Sequence, residues 1–157
     1  MARTAAAMLN RALLLHANLL LSPPTQADVS RHLAQLREWF RGDTVSGAVF
    51  LAHSQGNLFA NAAYRGFKAT APLANLQVAH VAPASPTLNG AYLLADIDVV
   101  INGLRATGIA VPPSNLVLPF DATDRTGHTF DATYLDPKRA GLAATKELVK
   151  NALDRLY

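Results

Sequence analysis

The segment Val45–Gly56, VSGAVFLAHSQG, decides the fold that this sequence predicts. Residues 45–52 are a short apolar run, which is typical of a strand buried on both faces. The run stops at the serine, and a segment with helical spacing follows from about Asn57 to Phe67. Ser54 therefore stands at the turn between a buried strand and a helix, where a side chain that does chemistry is often exposed.

Strands and helices alternate along the rest of the chain. Apolar spacing predicts a helix before Gly42 and a closing helix within 137–157, and short apolar runs predict strands at Leu76–Ala82, within 90–101 and within 114–120. This order predicts an α/β fold, with a parallel sheet and helices on both of its faces. Sites in such folds lie at the carboxyl ends of the strands. Four polar side chains fall at those ends: Ser54, Asp96, Asp98 and His128.

Composition excludes several classes of function. The chain has 157 residues, of which 50% are hydrophobic and 16% charged, and this is typical of a globular domain. The net charge of +3 comes from scattered Lys and Arg residues, so we expect no nucleic-acid partner. The absence of cysteine excludes disulfides and thiolate metal sites. No apolar run is long enough for a membrane-spanning helix.

The first 27 residues allow two interpretations. A positive start, the apolar stretch ALLLHANLLL and a Pro pair resemble a secretory signal, but His16 and Asn18 interrupt the stretch. The other interpretation is an amphipathic or buried helix that ends before Ser22. We therefore predict that 1–27 is a helix or a targeting segment and that 28–157 is the functional domain. A cytoplasmic location is favoured, and secretion would follow if the segment were a signal.

A serine hydroxyl needs help to act as a nucleophile. A histidine must take its proton, and a carboxylate must orient that histidine. A sharp strand-to-helix turn exposes the hydroxyl and leaves backbone N–H groups free at the start of the helix. Such a turn is expected to be crowded, which favours small residues two positions before and after the serine. Ala52 and Gly56 occupy these positions.

The AHSQG motif resembles the nucleophile elbow of the α/β-hydrolase superfamily, and it is most similar to lipase-like and esterase-like members with a His-Ser-Gln core. The order Ser, Asp, His along the chain also matches. The resemblance implies that Ser54 is the nucleophile, that His128 in TGHTF is the base, and that Asp98, followed by an apolar pair, is the orienting acid. Asp96 is the alternative acid. The backbone N–H of Gln55 would supply half of the oxyanion hole.

The resemblance covers roughly residues 28–157 and corresponds to the C-terminal half of the α/β-hydrolase fold or to a strongly reduced version of it. The family has further strands before the one that carries the nucleophile, and the loop that supplies its second oxyanion donor has no counterpart here. The strand at 45–52 would therefore have an open edge. We expect the first helix, a second copy of the chain as a homodimer, or a separate partner chain to cover that edge. The resemblance implies no cofactor.

Other histidines and acids have simpler interpretations. His53 is expected to point away from the nucleophile and to pack or hydrogen-bond locally, and His80 is expected to be a satisfied core histidine. The segment DATDRTGHTFDATYLD gathers four acids around His128, but their spacing fits no calcium loop. We predict no metal there and a polar loop in which the acids are turn residues and helix caps. The acids are Asp121, Asp124, Asp131 and Asp136.

The functional hypothesis from the sequence is therefore a serine hydrolase that cleaves a carboxylic ester, from a small-molecule or lipid substrate, through an acyl-enzyme. One alternative is a catalytically weak or inactive domain that serves interaction or assembly, and its signature would be a buried Ser54 or a distant His128. Another alternative keeps the triad but acts as an acyltransferase or thioesterase. Fold analogy alone does not choose among them.

Overall fold

The computed structural model describes residues 17–41 and 46–157, and it has the predicted α/β class. Its sheet has three parallel strands in the order β1–β2–β3: β1 (Ala48–His53), β2 (Leu76–Val81) and β3 (Tyr92–Leu93). β1 and β2 pair along their whole lengths, with Ala48 opposite Leu76 and His53 opposite Val81. The carboxyl ends of these two strands therefore lie side by side.

Four complete helices and one π-helical turn surround the sheet in the described residues: α1 (Gln26–Trp39), α2 (Gly56–Thr70), α3 (Val99–Ala106), the π turn (Phe130–Tyr134) and α4 (Ala140–Leu153). α1 begins at a capping box. The Thr25 hydroxyl accepts from the Asp28 N–H at 3.2 Å, and the Asp28 carboxylate accepts from the Thr25 N–H at 3.1 Å. This start lies directly after the Pro pair, as the sequence predicts.

Helices cover both faces of the sheet. Leu76 of β2 packs in a cluster with Leu36 of α1 and with Ala63 and Phe67 of α2. Ala79 and Val81 of the same strand lie in the larger core cluster, with Leu148 and Ala152 of α4. Since residues of opposite parity point to opposite faces of a strand, α4 lies on the face opposite α1 and α2.

The predicted third strand is wrong in its length. Only Tyr92 and Leu93 pair with β2, and the chain turns into α3 at Val99. The sequence places Asp98 at the end of this strand, but strand pairing stops at Leu93, and the Asp98 carboxylate accepts from the N–H groups of Val100 and Ile101 and starts a helix. Burial of Ile101 and Leu104, at helical spacing, then secures α3 against the core.

The predicted fourth strand, within 114–120, is reduced to one parallel bridge between Ala95 and Leu116. The side chain of Asn115 takes the place of further ladder bonds. It accepts from the Leu94 N–H at 2.8 Å and donates to the Tyr92 carbonyl at 2.9 Å. With these backbone groups already bonded to a side chain, regular strand pairing cannot extend toward β3.

The N-terminal prediction falls largely on residues outside the described part, since residues 1–16 lie there. Residues 17–20 are helical, and Ala17, Leu20 and Leu21 pack against the larger core cluster. The division at residue 28 stays a prediction, although it falls inside α1. None of the helices in the described residues has the length and apolarity that crossing a membrane requires.

Candidate active site

Ser54 occupies the turn between β1 and α2 in a strained backbone conformation. Its φ is 52°, in the left-handed region that a residue with a side chain rarely adopts. Two hydrogen bonds hold this turn from its backbone: the Ser54 N–H donates to the Val81 carbonyl at 3.1 Å, and the Asn57 N–H donates to the Ser54 carbonyl at 3.1 Å. Strain of this kind persists only where the surroundings enforce it, and it is common at functional sites.

A buried amide supports the turn from below. The Asn57 side chain donates to the carbonyls of Ser54 at 2.8 Å and Val81 at 3.1 Å, which ties the serine to the end of β2. The Asn57 oxygen lies 2.7 Å from Nδ1 of His80, and the Asn89 N–H donates to Nε2 of the same ring at 3.1 Å. Because Nε2 is an acceptor, Nδ1 carries the proton and donates to Asn57. Both ring nitrogens of His80 are thus satisfied in the core.

His128 connects the serine to a carboxylate. Its Nε2 lies 2.9 Å from the Ser54 hydroxyl, and its Nδ1 lies 2.9 Å and 3.1 Å from the two oxygens of Asp98. With Nδ1–H donating to the carboxylate, Nε2 is left as the acceptor for the Ser54 O–H. The three side chains come from the end of β1, from the start of α3 and from the loop before the π turn.

Asp98 is completely buried, and protein donors satisfy its carboxylate. One oxygen caps α3 through the Val100 and Ile101 N–H groups, and the other accepts from the Tyr134 hydroxyl at 3.1 Å. The Tyr134 oxygen in turn accepts from the Ala95 N–H at 3.1 Å. These bonds hold the carboxylate in an orientation that faces the His128 ring.

Asp96, the alternative acid, lies elsewhere. Its side chain is exposed and accepts from the Leu118 N–H at 3.0 Å, and its N–H donates to the Leu116 carbonyl at 2.8 Å. It joins the end of β3 to the 116–118 segment and makes no hydrogen bond with His128. Neither Asp96 nor Asp98 lies in a strand, because β3 ends at Leu93.

His53 does not bond locally, contrary to the expectation from the sequence. Its Nε2–H donates to the carbonyl of His128 at 2.8 Å, across 75 residues of chain. Its ring stacks on Phe130 with centroids 5.1 Å apart and lies 4.9 Å from the His128 ring. Burial, followed by the nearby His128, lowers the pKa of His53, so this ring is neutral at pH 7. It holds His128 in place through the backbone carbonyl.

Gln55 offers one candidate donor for an oxyanion. Its side-chain amide donates to the carbonyls of Leu19 at 2.9 Å and Ser22 at 3.4 Å, so both amide hydrogens are used. Within the described residues, its backbone N–H makes no hydrogen bond. That N–H follows Ser54 directly and lies at the positive end of α2, where an anion is stabilised.

The expected crowding at the turn is absent at Gly56. A Cβ built there meets no atom of the structure within 4 Å, so the small residue after the serine is not required by space. Ala52, on the other side, is buried, as the motif suggests. The reason for the difference is that Gly56 begins α2 on its exposed side, whereas Ala52 faces the interior of the sheet.

A cavity of about 500 Å³ adjoins the elbow but does not include Ser54. Its walls come from α1, β1 and α2, with Phe50, Phe59 and Ala63 as apolar lining and Arg31 and Asp28 at its rim. It reaches the elbow at Ala52, His53 and Gly56. This cavity lies along the open side of β1, so we do not assign it as the substrate pocket.

No group of three or more metal-ligating side chains is present among the described residues. The acids around His128 are engaged otherwise. Asp121 and Asp124 accept from threonine donors, and Asp136 accepts from the Lys138 N–H at 2.8 Å. These contacts are those of turn residues.

Sequence reasoning missed three side chains that hold the site. Asn57 could have been suspected from its position three residues after Ser54, in the first turn of the predicted helix. Tyr134 carries no local signal, because its partner Asp98 is 36 residues away. Asp124 was assigned only to a polar loop, although its D-x-T spacing predicts a turn in which the carboxylate binds the threonine.

Comparisons with protein-family models, with curated proteins and with solved structures returned no match for this chain. Inference about its function therefore depends on the residues and their geometry.

Proposed function

We propose that this chain is a serine hydrolase of the α/β-hydrolase type that cleaves carboxylic esters through an acyl-enzyme. One observation carries the proposal: the continuous hydrogen-bonded path from the Ser54 hydroxyl through His128 to the buried carboxylate of Asp98. Each link lies within ordinary hydrogen-bond distance. The strained φ of Ser54 at a strand-to-helix turn supports the same assignment.

The proposed mechanism follows from these contacts. Ser54 Oγ attacks the ester carbonyl while His128 Nε2 takes its proton, and Asp98 stabilises the imidazolium that forms. The Gln55 N–H and the N-terminus of α2 stabilise the oxyanion. The proton passes from Nε2 to the leaving alcohol. Water, deprotonated by the same nitrogen, then releases the carboxylic acid and restores the Ser54 hydroxyl.

The geometry argues against the alternative of a non-catalytic interaction domain. That interpretation predicts a buried Ser54 or a distant His128, whereas Ser54 is only partly buried and the two side chains lie 2.9 Å apart. No feature of the site favours transfer to an acceptor other than water. We therefore retain hydrolysis of a small-molecule or lipid ester as the proposal.

Covalent labelling tests the proposal. We expect a fluorophosphonate probe to add once to the folded protein, as read by intact-mass spectrometry, and Ser54→Ala to abolish the adduct. Ser46→Ala is the matched control, since Ser46 is exposed and its hydroxyl lies 3.1 Å from the Tyr157 hydroxyl, away from the candidate site. His128→Gln should slow labelling by roughly 1000-fold, because the base is lost. Turnover of p-nitrophenyl esters of varied chain length would then define the acyl preference.

Absence of an adduct on folded wild-type protein would refute the proposal. A missing second oxyanion donor has a different signature, since losing one donor costs roughly 100- to 1000-fold in turnover. In that case labelling would be slow but would still depend on Ser54 and His128.

We also infer that a second copy of the chain covers the open edge of β1. The backbone N–H groups of Ala48 and Ser54 point toward β2. Because these groups alternate along a parallel strand, the N–H groups of Val49, Leu51 and His53 point away from β2, toward the open edge. No described residue pairs with this edge. Antiparallel pairing about a two-fold axis at Leu51 would satisfy the outward groups of both copies.

The groove beside that edge supports a second copy as the occupant. Leu51 (42% exposed) and Leu153 (46%) line it, together with Lys146 and Lys150 of α4 and with Asp154, which follows α4 and accepts from Lys150 of the same chain at 2.6 Å. A two-fold axis would run the two α4 helices antiparallel. It would therefore bring the lysines of one copy toward Asp154 of the other, so the rim is complementary in charge to itself.

A further inference from the structure

Asp124 is a buried carboxylate whose oxygens are filled by donors from three threonines. One oxygen accepts from the Thr126 N–H at 3.0 Å and the Thr126 hydroxyl at 2.6 Å. The other accepts from the Thr129 N–H at 2.8 Å, the Thr129 hydroxyl at 2.7 Å and the Thr133 hydroxyl at 2.8 Å. Asp124 thus connects three residues of the loop that carries His128. The residue is buried, with 5% of its surface exposed.

Each threonine connects Asp124 to the candidate active site. Thr129 is the residue after His128. Thr126 accepts the Val99 N–H through its carbonyl at 3.0 Å, at the start of the helix that Asp98 caps. Thr133 precedes Tyr134, whose hydroxyl donates to Asp98. The loop therefore binds Asp124 and the Asp98 region at the same time.

Close packing leaves this loop little freedom. Gly127, with φ of 61°, approaches so closely that an added Cβ would lie 2.4 Å from the Ile97 carbonyl oxygen. Gly141 of α4 packs as closely on Thr133, where an added Cβ would lie 2.1 Å from the carbonyl oxygen. The Thr145 hydroxyl also donates to the Tyr134 carbonyl at 3.0 Å. Fixing the threonines around Asp124 therefore fixes His128 against Asp98.

We propose that Asp124 is the positioning residue of the site, and that its carboxylate, through Thr126, Thr129 and Thr133, sets the place of His128 between Ser54 and Asp98. The catalytic part of this inference rests on the proposed hydrolase function, whereas the positioning part concerns geometry alone. Asp124 itself is 5% exposed and has its acceptors filled, so it acts through His128 and not on a substrate.

The charge of Asp124 suits this role. Burial alone would raise its pKa, but hydrogen bonds from Thr126, Thr129 and Thr133 outweigh burial and hold the pKa far below its usual range. The carboxylate is therefore ionised and accepts at both oxygens. In Asp124→Asn, the amide NH₂ would face N–H or O–H donors on one side, and the loop could not keep all of its contacts.

The test compares Asp124→Asn with Asp121→Asn. Asp121 makes the same local turn, accepting from the Thr123 N–H at 2.8 Å and the Thr123 hydroxyl at 2.7 Å, but it has no bond to Thr129 or Thr133. We expect Asp124→Asn to lower kcat for a p-nitrophenyl ester by roughly 100-fold with KM little changed, because a misplaced base affects the transition state. Asp121→Asn should leave kcat within about twofold of wild type.

A spectroscopic readout separates positioning from catalysis. The Nδ1 proton of His128, bonded to Asp98, should give a proton NMR signal far downfield of the backbone amides in the wild type and in Asp121→Asn. The signal should vanish or move in Asp124→Asn. If the wild type gives this signal but reacts with neither ester nor fluorophosphonate, the proposed function fails. The positioning role is still tested in that case, by comparing the signal in Asp124→Asn with that in the wild type.

Variants at Thr133 cover the case in which Asp124→Asn does not fold. Thr133→Val removes only the hydroxyl that donates to Asp124, and Thr133→Ser keeps it. We expect the downfield signal and kcat to fall in Thr133→Val, by about 10-fold for kcat, and to be retained in Thr133→Ser. The proposal is overturned if Thr133→Val matches Thr133→Ser in both readouts, or if folded Asp124→Asn matches Asp121→Asn.

Discussion

At the scale of single residues, the site depends on where protons lie on two buried side chains. Asn57 can donate to both the Ser54 and Val81 carbonyls only if its oxygen faces His80. His80 donates to that oxygen from Nδ1, and its Nε2 accepts from the Asn89 N–H, which requires the neutral ring. Protonation would set an Nε2–H against the Asn89 N–H, so the network that supports the strained serine contains a core histidine that must stay neutral.

The free energy of unfolding should therefore depend on His80. Burial lowers its pKa from 6.5 to about 4. Between these values the unfolded chain binds a proton that the folded chain does not. Stability from this group is complete above about pH 7 and is lost as pH falls from 6.5 toward 4, by on the order of 3 kcal/mol. Urea unfolding at several pH values measures this loss.

His80→Gln is the control for this prediction. Glutamine can donate and accept but does not titrate in this range, so the variant should lack the His80 part of the pH slope. His53, whose pKa is also lowered, stays in both proteins and cancels in the comparison. Equal slopes for the wild type and His80→Gln between pH 7 and 4.5 would contradict the assignment.

At the scale of elements, the turn from β1 into α2 departs from the expectation that its motif raises. Small residues were expected on both sides of Ser54 because of crowding, yet the space around Gly56 is open. Gly56 also lacks the positive φ that would require glycine, since the described glycines with that conformation are Gly108 and Gly127. Neither space nor backbone conformation therefore requires glycine at the first residue of α2.

We expect Gly56→Ala to be stabilising by about 0.4–1 kcal/mol, because alanine restricts the unfolded chain and favours the helix. Gly90→Ala is the contrasting variant, since its Cβ would lie 1.8 Å from the Val78 carbonyl oxygen and should destabilise the fold. Urea unfolding of both variants provides the measurement. A loss of stability in Gly56→Ala would restore the crowded-turn interpretation.

At the scale of the whole molecule, β1 is the strand whose position bears on whether the chain associates with a second copy. It carries Ser54 at its carboxyl end, yet it lies at the edge of the three-stranded sheet. Edge strands with apolar side chains tend to pair with another chain. Grooves flank β1 on both faces of the sheet, and Leu51 lines both of them.

We expect the chain to sediment as a dimer, and Leu51→Lys to shift it toward the monomer, because a charge at the two-fold axis would face its own copy. Leu73→Lys is the matched control: Leu73 is 93% exposed but lies outside both grooves. Sedimentation velocity at several concentrations gives the association state. A monomeric wild type, or an effect of Leu73→Lys equal to that of Leu51→Lys, would rule out pairing through this edge.

Much of the architecture is specified by local sequence patterns, so it could be predicted from the sequence. Apolar runs and helical spacing predicted β1, β2, α1, α2 and α4, because each signal lies within one element. Where local signals competed, prediction failed. The third strand was expected to reach Asp98, but its pairing stops at Leu93 and Asp98 caps a helix, and the Asn115 side chain replaced the strand pairing expected near Leu116.

By itself, the sequence determined the α/β class and placed a serine, an acid and a histidine at the carboxyl ends of strands, because strand order and parallel direction bring those ends together. The sequence favoured Asp98 over Asp96 only by resemblance, and the tertiary structure gives the physical reason, since Asp98 turns inward as a helix cap and Asp96 is held at the 116–118 segment. The tertiary structure alone decided the contacts of Tyr134 and Asp124. Those contacts depend on how the π turn and its loop pack, and no local pattern records packing across such sequence distances.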